Sequence, residues 1–204
     1  ITYNAAVSAC AKGQHWWRSV DLFLGLRLAG IRPDSVTFNS VATACGNGQQ
    51  WKRSLFLLNS AMASGSGQGA ISCNIAITSC EKGLHWKQAF CWFDGMQQHR
   101  VSPDTVTYNA ALSACRTGQQ WQQGLWLMQE LSQHSFEPGS FTYSAAISAC
   151  ERSYCWSSAL QLLSNMLDRK LELGVITCSA VMSAMEKGRQ LSLTLQMLED
   201  MRKR

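Results

Sequence analysis

The chain has 204 residues, of which 46% are apolar and 15% are charged, and its formal net charge is +5. This composition excludes an intrinsically disordered chain, because it contains enough apolar side chains to form a core. The mild positive charge is compatible with an acidic polymer as a partner but does not require one. No apolar run approaches the roughly 18 residues that a membrane-spanning helix needs, so we expect no membrane span.

The sequence repeats itself with a period of 35 residues. The segment that begins at Ile1 returns five times, and its copies begin at Val36, Ile71, Val106, Phe141 and Ile176. A fixed period in this range is typical of a solenoid, in which each unit packs mainly against its neighbours. We therefore expect a single array of six repeats, with approximate bounds 1–35, 36–70, 71–105, 106–140, 141–175 and an incomplete 176–204.

The first half of each repeat predicts an amphipathic helix. In the first repeat, Tyr3, Val7 and Cys10 follow one another at spacings of four and three, which places them on one face. Thr2 and its equivalents are the expected N-caps of these helices. A glycine such as Gly13 follows the helix in most repeats, where a left-handed C-cap is easiest for glycine.

Five of the nine cysteines occupy one slot of this helix, and Met185 fills that slot in the sixth repeat. A slot that accepts methionine needs a soft apolar group, so we interpret these thiols as core residues. The sequence has no C-x-x-C pair, and we predict no zinc site and no cofactor. So many unpaired thiols favour a reducing compartment. The five cysteines are Cys10, Cys45, Cys80, Cys115 and Cys150.

The second half of each repeat predicts another helix, with Trp16, Val20, Phe23 and Leu26 along one face. A tryptophan begins this helix in five of the six repeats. We interpret the tryptophans as packing between neighbouring hairpins, and the alternative is a ladder that stacks on a ligand. Such short helices need tertiary packing, and stacked hairpins join their stripes into one core. The sequence therefore predicts an all-α solenoid of stacked helix-turn-helix hairpins.

A different face of the first helix carries polar side chains. Asn4, Ser8 and Lys12 lie four residues apart and share this face. Across the repeats, the first slot offers an amide or a hydroxyl, the second a small hydroxyl, and the third a cation in four repeats. The first slot holds Asn4, Asn39, Asn74, Asn109, Ser144 and Ser179, and the cations are Lys12, Lys82, Arg152 and Lys187.

These polar side chains have the chemistry of a nucleic-acid contact. An asparagine amide pairs a donor with an acceptor and so matches a base edge. A cation about 12 Å further along the helix is placed to hold a phosphate. The apolar residue three positions before the first slot, such as Val36, is placed to press on a base. The alternative is a solvated polar face whose asparagines and serines act as local caps, and this chemistry alone does not choose between the two.

The repeat resembles the pentatricopeptide repeat over all 204 residues. The resemblance rests on the motif Thr-Tyr-Asn-Ala-Ala-x-Ser-Ala-Cys, on the Lys-Gly that follows it, and on the Pro-Asp before the next copy. The rival tetratricopeptide repeat has a slightly shorter period and lacks this asparagine and the terminal aspartate. The resemblance implies a right-handed α-superhelix of the P type that binds single-stranded RNA, one nucleotide per repeat. Because the chain starts inside a motif, we expect it to be part of a longer array.

The resemblance also implies a role for each slot. The first-slot residues match the base-reading position, and Asp34 and Asp104 match the partner residue that closes a repeat and supports the choice of base. The four cations match a position that contacts the RNA backbone. The residues that match the base-sandwiching position are Ile1, Val36, Ile71, Val106, Phe141 and Ile176.

In the family, asparagine combined with aspartate favours uridine, so we expect repeats one and three to prefer U. Glycine closes the second, fourth and fifth repeats and cannot help to select a base. The asparagines of repeats two and four then lean toward pyrimidine, and the serines of repeats five and six lean toward purine. The expected target is U-Y-U-Y-R-R. The salt slope is the slope of the logarithm of the RNA-binding constant against the logarithm of the salt concentration. Four phosphate contacts would give a salt slope of roughly −0.7 × 4, about −3. The closing glycines are Gly69, Gly139 and Gly174.

The sequence contains no catalytic constellation, so we expect a binding protein and not an enzyme. His15 and His85 share a turn slot with Gln50 and Gln120, which favours surface turn residues. The alternative function is a scaffold subunit of a larger ribonucleoprotein or protein complex, with protein partners. Family resemblance places such proteins in mitochondria or plastids, in RNA processing, stability or translation.

Overall fold

The computed structural model describes residues 2–13, 15–65, 69–134 and 136–190. These residues form eleven α-helices and no β-strand, and none of the helices is long and apolar enough to cross a membrane. Ile1 and the expected second helix of the sixth repeat, in 191–204, lie outside the described residues. The helices are α1 (Thr2–Lys12), α2 (Trp16–Leu28), α3 (Ser35–Asn47), α4 (Trp51–Ala63), α5 (Ala70–Lys82), α6 (Trp86–Gln98), α7 (Thr105–Gly118), α8 (Trp121–Gln133), α9 (Ser140–Arg152), α10 (Trp156–Asp168) and α11 (Val175–Lys187).

The helices recur with the 35-residue period of the sequence. From α3 onward, each first helix begins 35 residues after the one before it, and every described second helix begins at the tryptophan of its repeat. The expected all-α helical-repeat solenoid is therefore confirmed. The right-handed superhelix stays a prediction.

The chain divides into two compact units, Ile1–Ala114 and Cys115–Arg204. In the first unit α1, α3 and α5 lie side by side, while α2 and α4 each pack on the first helix of their own repeat and on that of the next. In the second unit α9 and α11 are neighbours, α8 packs on α9, and α10 packs on both. In each unit the first helices thus form one layer, and the second helices cover it.

Apolar stripes from both layers form the core. In the first unit, Phe23 of α2 meets Phe38 of α3 edge to face, with ring centroids 5.2 Å apart. The equivalent residues two repeats later, Phe93 and Tyr108, meet in the same way at 5.4 Å. Aromatic pairs in this geometry stabilise beyond the area they bury. The contact therefore ties each of these second helices to the following first helix.

The cysteine slot lies in the core, as predicted. Its members in repeats two to five, and Met185 in repeat six, are fully buried, whereas Cys10 is partly exposed. Burial raises the pKa of Cys45 to about 11 and that of the other three buried thiols to about 12. These thiols therefore stay protonated at neutral pH and are poor nucleophiles. The other three are Cys80, Cys115 and Cys150.

The tryptophan of one repeat packs against a glycine of the next repeat. The Trp16 ring lies so close to Gly48 that a Cβ atom on this glycine would stand 2.2 Å from Trp16 Cδ1. The corresponding distance is 2.7 Å for a second pair in the first unit and 2.3 Å for a pair in the second unit. These pairs are Trp51 with Gly83 and Trp156 with Gly188. The tryptophans thus pack between hairpins, as predicted.

This contact explains why glycine follows the first helix, and our expectation of a left-handed glycine was wrong. The φ angle is −82° at Gly48 and −79° at Gly83, values that any residue adopts. The left-handed residue is the next one along the chain, with φ of 59° at Gln49 and 62° at Leu84. Glycine is required here because it has no side chain, and not because of its backbone freedom.

The first helices also begin differently from what we expected. The N-cap of α3 is Asp34, whose carboxylate accepts a hydrogen bond from the Thr37 backbone N–H at 2.8 Å. Thr37, which is equivalent to Thr2, is the third residue of the helix, and its side chain is buried. The expected threonine cap is therefore wrong, and the threonine hydroxyl can instead form a hydrogen bond to a residue of the preceding repeat.

Replacing Gly83 with alanine is expected to destabilise the protein by about 1–3 kcal/mol, because the new Cβ would displace the Trp51 ring. The matched control is Gly95→Ala, inside α6, where nothing lies within 4 Å of the new Cβ. This control should stabilise by about 0.5–1 kcal/mol through helix propensity. Urea denaturation followed by circular dichroism measures both, and a stabilising effect of Gly83→Ala would contradict the packing role.

Candidate nucleic-acid interface

The first-slot asparagine of repeat one is held by two residues from the start of the next first helix. The Asn4 amide nitrogen donates to the Asp34 carboxylate, at 3.2 Å from Oδ2 and 3.4 Å from Oδ1. Thr37 Oγ1 lies 2.6 Å from both the Asn4 amide oxygen and Asp34 Oδ1, so its single proton bonds one of them at a time. Because an ionised carboxylate only accepts hydrogen bonds, the amide nitrogen must face it, and the asparagine has a defined orientation.

Repeat three contains the same three-residue arrangement. The Asn74 amide nitrogen lies 3.1 Å from Asp104 Oδ1 and 3.3 Å from Oδ2. The Thr107 hydroxyl lies 2.5 Å from the Asn74 amide oxygen and 2.8 Å from Asp104 Oδ1. Asp104 also accepts the Thr107 backbone N–H at 2.8 Å, as an N-cap does. The two repeats expected to share one base preference therefore share one geometry.

Both aspartates are ionised at neutral pH. Hydrogen bonds from the Thr37 hydroxyl and backbone N–H, and from Asn4, lower the pKa of Asp34 against a smaller effect of burial. Burial raises the pKa of Asp104, but the hydrogen bonds from Thr107 and Asn74 together outweigh it and hold this pKa below its ordinary value. Each carboxylate therefore caps a helix and orients an asparagine at the same time.

Repeat two holds its asparagine without a carboxylate from its closing residue. The Ser72 hydroxyl donates to the Asn39 amide oxygen at 2.9 Å, as the threonines do in repeats one and three. The closing residue, Gly69, has an extended backbone with φ −155° and ψ 161°, which any residue can adopt. The backbone therefore does not require glycine at this position.

The later repeats replace the amide with a hydroxyl. Ser144 donates to the Ser140 carbonyl oxygen at 2.8 Å and lies 2.5 Å from the Thr177 hydroxyl. Ser179 is exposed and donates to the Ile176 carbonyl oxygen at 3.0 Å. The first-slot residue of repeat four, Asn109, is half-buried.

We did not predict the hydroxyl that orients the first-slot residue. Every repeat has threonine or serine two positions before the first slot, and this regularity was the available signal. We assigned these hydroxyls to helix capping, because serine and threonine favour N-caps. From repeat two onward they are 0–2% exposed, and they are Thr37, Ser72, Thr107, Thr142 and Thr177.

The residues at the base-sandwiching position are large, apolar and exposed. A large apolar side chain that is mostly exposed forms part of the protein surface open to a ligand. Ile1 lies outside the described residues. The exposed fractions are 56% for Val36, 68% for Ile71, 59% for Val106, 63% for Phe141 and 73% for Ile176.

Two clefts on the first-helix face of the first unit join these apolar residues to the polar slots. One cleft, of about 400 Å³, is lined by Val36 and Ile71 together with Asn39 and Lys12. It therefore combines two aliphatic side chains, one base-reading candidate and one cation.

The second cleft repeats this combination one repeat further along. It has a volume of about 440 Å³ and is lined by Ile71 and Val106 together with Asn74, Asp104 and Lys82. Ile71 lines both clefts. A ligand that filled both would place one flat group on each side of this side chain.

A third cavity, of about 490 Å³, lies among α8, α9 and α10 of the second unit. Its lining includes Gln129, Tyr143 and Arg169 but none of the predicted site residues. No group of histidine, cysteine and acidic side chains among the described residues is arranged to hold a metal ion.

The four predicted phosphate-contacting cations lie in different surroundings. Lys12 and Arg152 are exposed. The Lys82 ammonium donates to the Asn47 amide oxygen at 2.6 Å. Lys187 forms an ion pair with Glu151, with Nζ and Oε1 2.5 Å apart.

Sequence profiles and solved structures relate the chain to a known family of repeats. A sequence profile of the PPR repeat family matches residues 68–117, and a PPR repeat profile matches residues 141–171. The crystal structure of the pentatricopeptide repeat protein PPR10 from maize matches with a TM-score of 0.79 and 25% identity, over 98% of this chain and 29% of that chain. The chain contains pentatricopeptide repeats and shares the fold of a pentatricopeptide repeat protein. It spans about 29% of the length of the maize protein.

Two further solved pentatricopeptide repeat structures share the fold. PPR10 in complex with an 18-nt psaJ RNA element matches with a TM-score of 0.68 and 22% identity, over 98% of this chain and 33% of that chain. The PPR domain of Arabidopsis thaliana protein-only RNase P 1, in complex with tRNA, matches at 0.71 and 14% identity, over 83% of this chain and 89% of that one. No significant match to a curated protein sequence was found.

Replacing Asp104 with alanine is expected to destabilise the protein by about 1 kcal/mol at neutral pH, because α7 loses its N-cap. The lowered pKa of Asp104 sets the pH dependence. Its contribution is fully present above the unfolded-state pKa of about 4 and is lost as the pH falls through the lower folded-state pKa. Thermal unfolding of the wild type and of Asp104→Ala, measured between neutral and acidic pH, should show the stability difference between them shrinking below pH ~4.

The matched control is Asp94→Ala, an exposed aspartate on α6. Its effect should stay within about 0.5 kcal/mol. A stability difference for Asp104→Ala that grew on acidification would contradict the capping role.

Proposed function

We propose that this protein binds single-stranded RNA, with one base in each cleft of the first-helix face. The observation that supports this most strongly is the pair of adjacent clefts, each with two aliphatic side chains, an asparagine and a lysine. Base stacking on such walls is tolerant of sequence, and the lysine is placed for a phosphate. The RNA complexes of maize PPR10 and of the Arabidopsis PPR domain support RNA as the ligand class.

The chemistry of repeats one and three suits a pyrimidine edge. In repeat three, one hydrogen of the Asn74 amide nitrogen faces Asp104, which leaves a second hydrogen for a ligand. The Asp104 carboxylate has further acceptor capacity beside it. This donor and acceptor match the neighbouring carbonyl and N–H groups of uracil, and the family resemblance assigns uridine to the same combination.

We propose the target U-Y-U-Y-R-R for the six repeats, starting from the N-terminal repeat. Repeats two and four present asparagine with glycine as the closing residue and are assigned to pyrimidines. Repeats five and six present serine and are assigned to purines. On family resemblance, the protein acts on organellar RNA, in a mitochondrion or plastid, in RNA processing, stability or translation.

A scaffold subunit of a larger complex is the second candidate function. Large apolar side chains on the second helices favour it, because Phe56 is 70% exposed and Trp126 is 46% exposed. Exposed aromatic residues are common in protein interfaces. If the protein is a scaffold, replacing these two residues would weaken the binding of a protein partner and leave RNA binding unchanged. Loss of the first-slot asparagines would weaken RNA binding and leave the binding of a protein partner unchanged.

Replacing Gly69 with aspartate is expected to give repeat two a preference for U. Gly69 has an extended backbone, and nothing lies within 4 Å of the new Cβ, so the carboxylate fits without strain. Ser72 already supplies the orienting hydroxyl to Asn39. Selection from a randomised single-stranded RNA pool, followed by sequencing, should show U opposite repeats one and three in the wild type. The variant should add U opposite repeat two, enriched about fivefold, on the order of 1 kcal/mol.

The matched control is Gly174→Asp, which adds the same charge where the first-slot residue is Ser144. It should add no preference for U. The absence of U enrichment opposite repeats one and three in the wild type would refute the assigned base-reading role. Unchanged selectivity in Gly69→Asp would refute the role of the carboxylate.

A further inference from the structure

The sixth-repeat cation does not have the surroundings of its counterparts. The Lys187 ammonium lies 2.5 Å from Glu151 Oε1 and 5.6 Å from the centre of the Tyr154 ring. The Ser183 hydroxyl, one helical turn before Lys187, donates to the same carboxylate oxygen at 3.0 Å. One oxygen of Glu151 thus accepts hydrogen bonds from two side chains of α11.

The Glu151 carboxylate is a stronger partner than the group that holds the equivalent cation in repeat three. Lys82 bonds the neutral amide oxygen of Asn47. A lysine that leaves a neutral amide for a phosphate gains an ionic partner. A lysine that leaves a carboxylate for a phosphate first loses a charge-assisted hydrogen bond. The Glu151 side chain is only 20% exposed, so solvent screens this ion pair less than it screens a fully exposed pair.

The position of Glu151 is small in repeats one and two, acidic in repeats three and six (Glu81 and Glu186), and basic in repeat four (Arg116). The small residues are Ala11 in repeat one and Gly46 in repeat two, and they line the two clefts of the first unit. In repeat five this position carries a negative charge on the face that would meet the RNA backbone. A phosphate that approached Lys187 would also approach this carboxylate, and the two anions repel each other.

We propose that the ion pair with Glu151 withholds Lys187 from the RNA backbone, so that only three of the four first-helix cations contact RNA phosphates in the wild-type protein. This inference rests on the proposed RNA-binding function. It makes Glu151 a determinant of how tightly the C-terminal repeats hold RNA. Three contacts give an expected salt slope of roughly −0.7 × 3, about −2, in place of about −3.

The test is Glu151→Gln, which removes the charge and keeps an oxygen that accepts from Ser183 and Lys187. Lys187 then has an amide partner, as Lys82 does in the wild type. Binding of a fluorescent single-stranded RNA of randomised sequence, titrated at several salt concentrations, gives affinity and slope. Glu151→Gln should steepen the slope by about 0.7 and tighten binding about eightfold near 50 mM salt, if one contact contributes nothing near 1 M.

The matched control is Glu186→Gln, which changes the same charge on the exposed residue next to Lys187. It should leave the slope unchanged. If Glu151→Gln behaves like this control, or weakens binding, Glu151 does not withhold Lys187 and the inference is overturned. If neither the wild type nor any variant binds RNA at low salt, the proposed function itself fails.

A second comparison uses single lysine variants first, and these do not require Glu151→Gln to fold. In the wild-type background, Lys82→Gln should reduce the slope by about 0.7, while Lys187→Gln should leave it unchanged. In the Glu151→Gln background, Lys187→Gln should remove the gain in affinity. Equal losses from the two lysine variants in the wild type would show that Lys187 already contacts RNA, contrary to the inference.

Discussion

The packing of a tryptophan ring against the glycine of the next repeat is the contact on which the stacking of the hairpins depends. The Trp16 ring occupies the space that a Cβ on Gly48 would need, and the same relation recurs between Trp51 and Gly83. Because protein interiors are densely packed, a side chain at this glycine would push successive hairpins apart. The spacing of the first helices, and with it the spacing of the clefts between their exposed aliphatic residues, follows from this close approach.

Helix capping and the orientation of the asparagine use the same closing position of a repeat. Asp34 and Asp104 cap the following helix and also orient the asparagine of the preceding one. Glycine at an N-cap costs only a few tenths of a kcal/mol relative to aspartate, so a repeat such as the second still folds with Gly69. The carboxylate beside the asparagine is lost, and with it the acceptor that a base would meet. The fold therefore tolerates changes at the positions that distinguish one repeat from another.

The electrostatic environment of a repeated residue depends on its neighbours and not on its slot. Lys82 and Lys187 occupy the same slot, yet one bonds an amide and the other forms an ion pair with a carboxylate. A lysine that is already neutralised by a partly buried carboxylate offers little to a phosphate. Counting cations along the polar face therefore overestimates the charge that is available to a nucleic acid.

The sequence by itself determined the helices, the core stripes and the polar face, because each follows from a 35-residue period and from residues three and four positions apart on one helix. It also indicated which asparagines have an aspartate partner. Only the tertiary structure decided why glycine ends the first helix, that Thr37 and Thr107 orient the asparagines, and that Glu151 binds Lys187. These are contacts between residues about 30 positions apart in neighbouring repeats, and they depend on how the hairpins stack. A pattern within one repeat cannot determine such contacts, because the partner atoms belong to the next repeat.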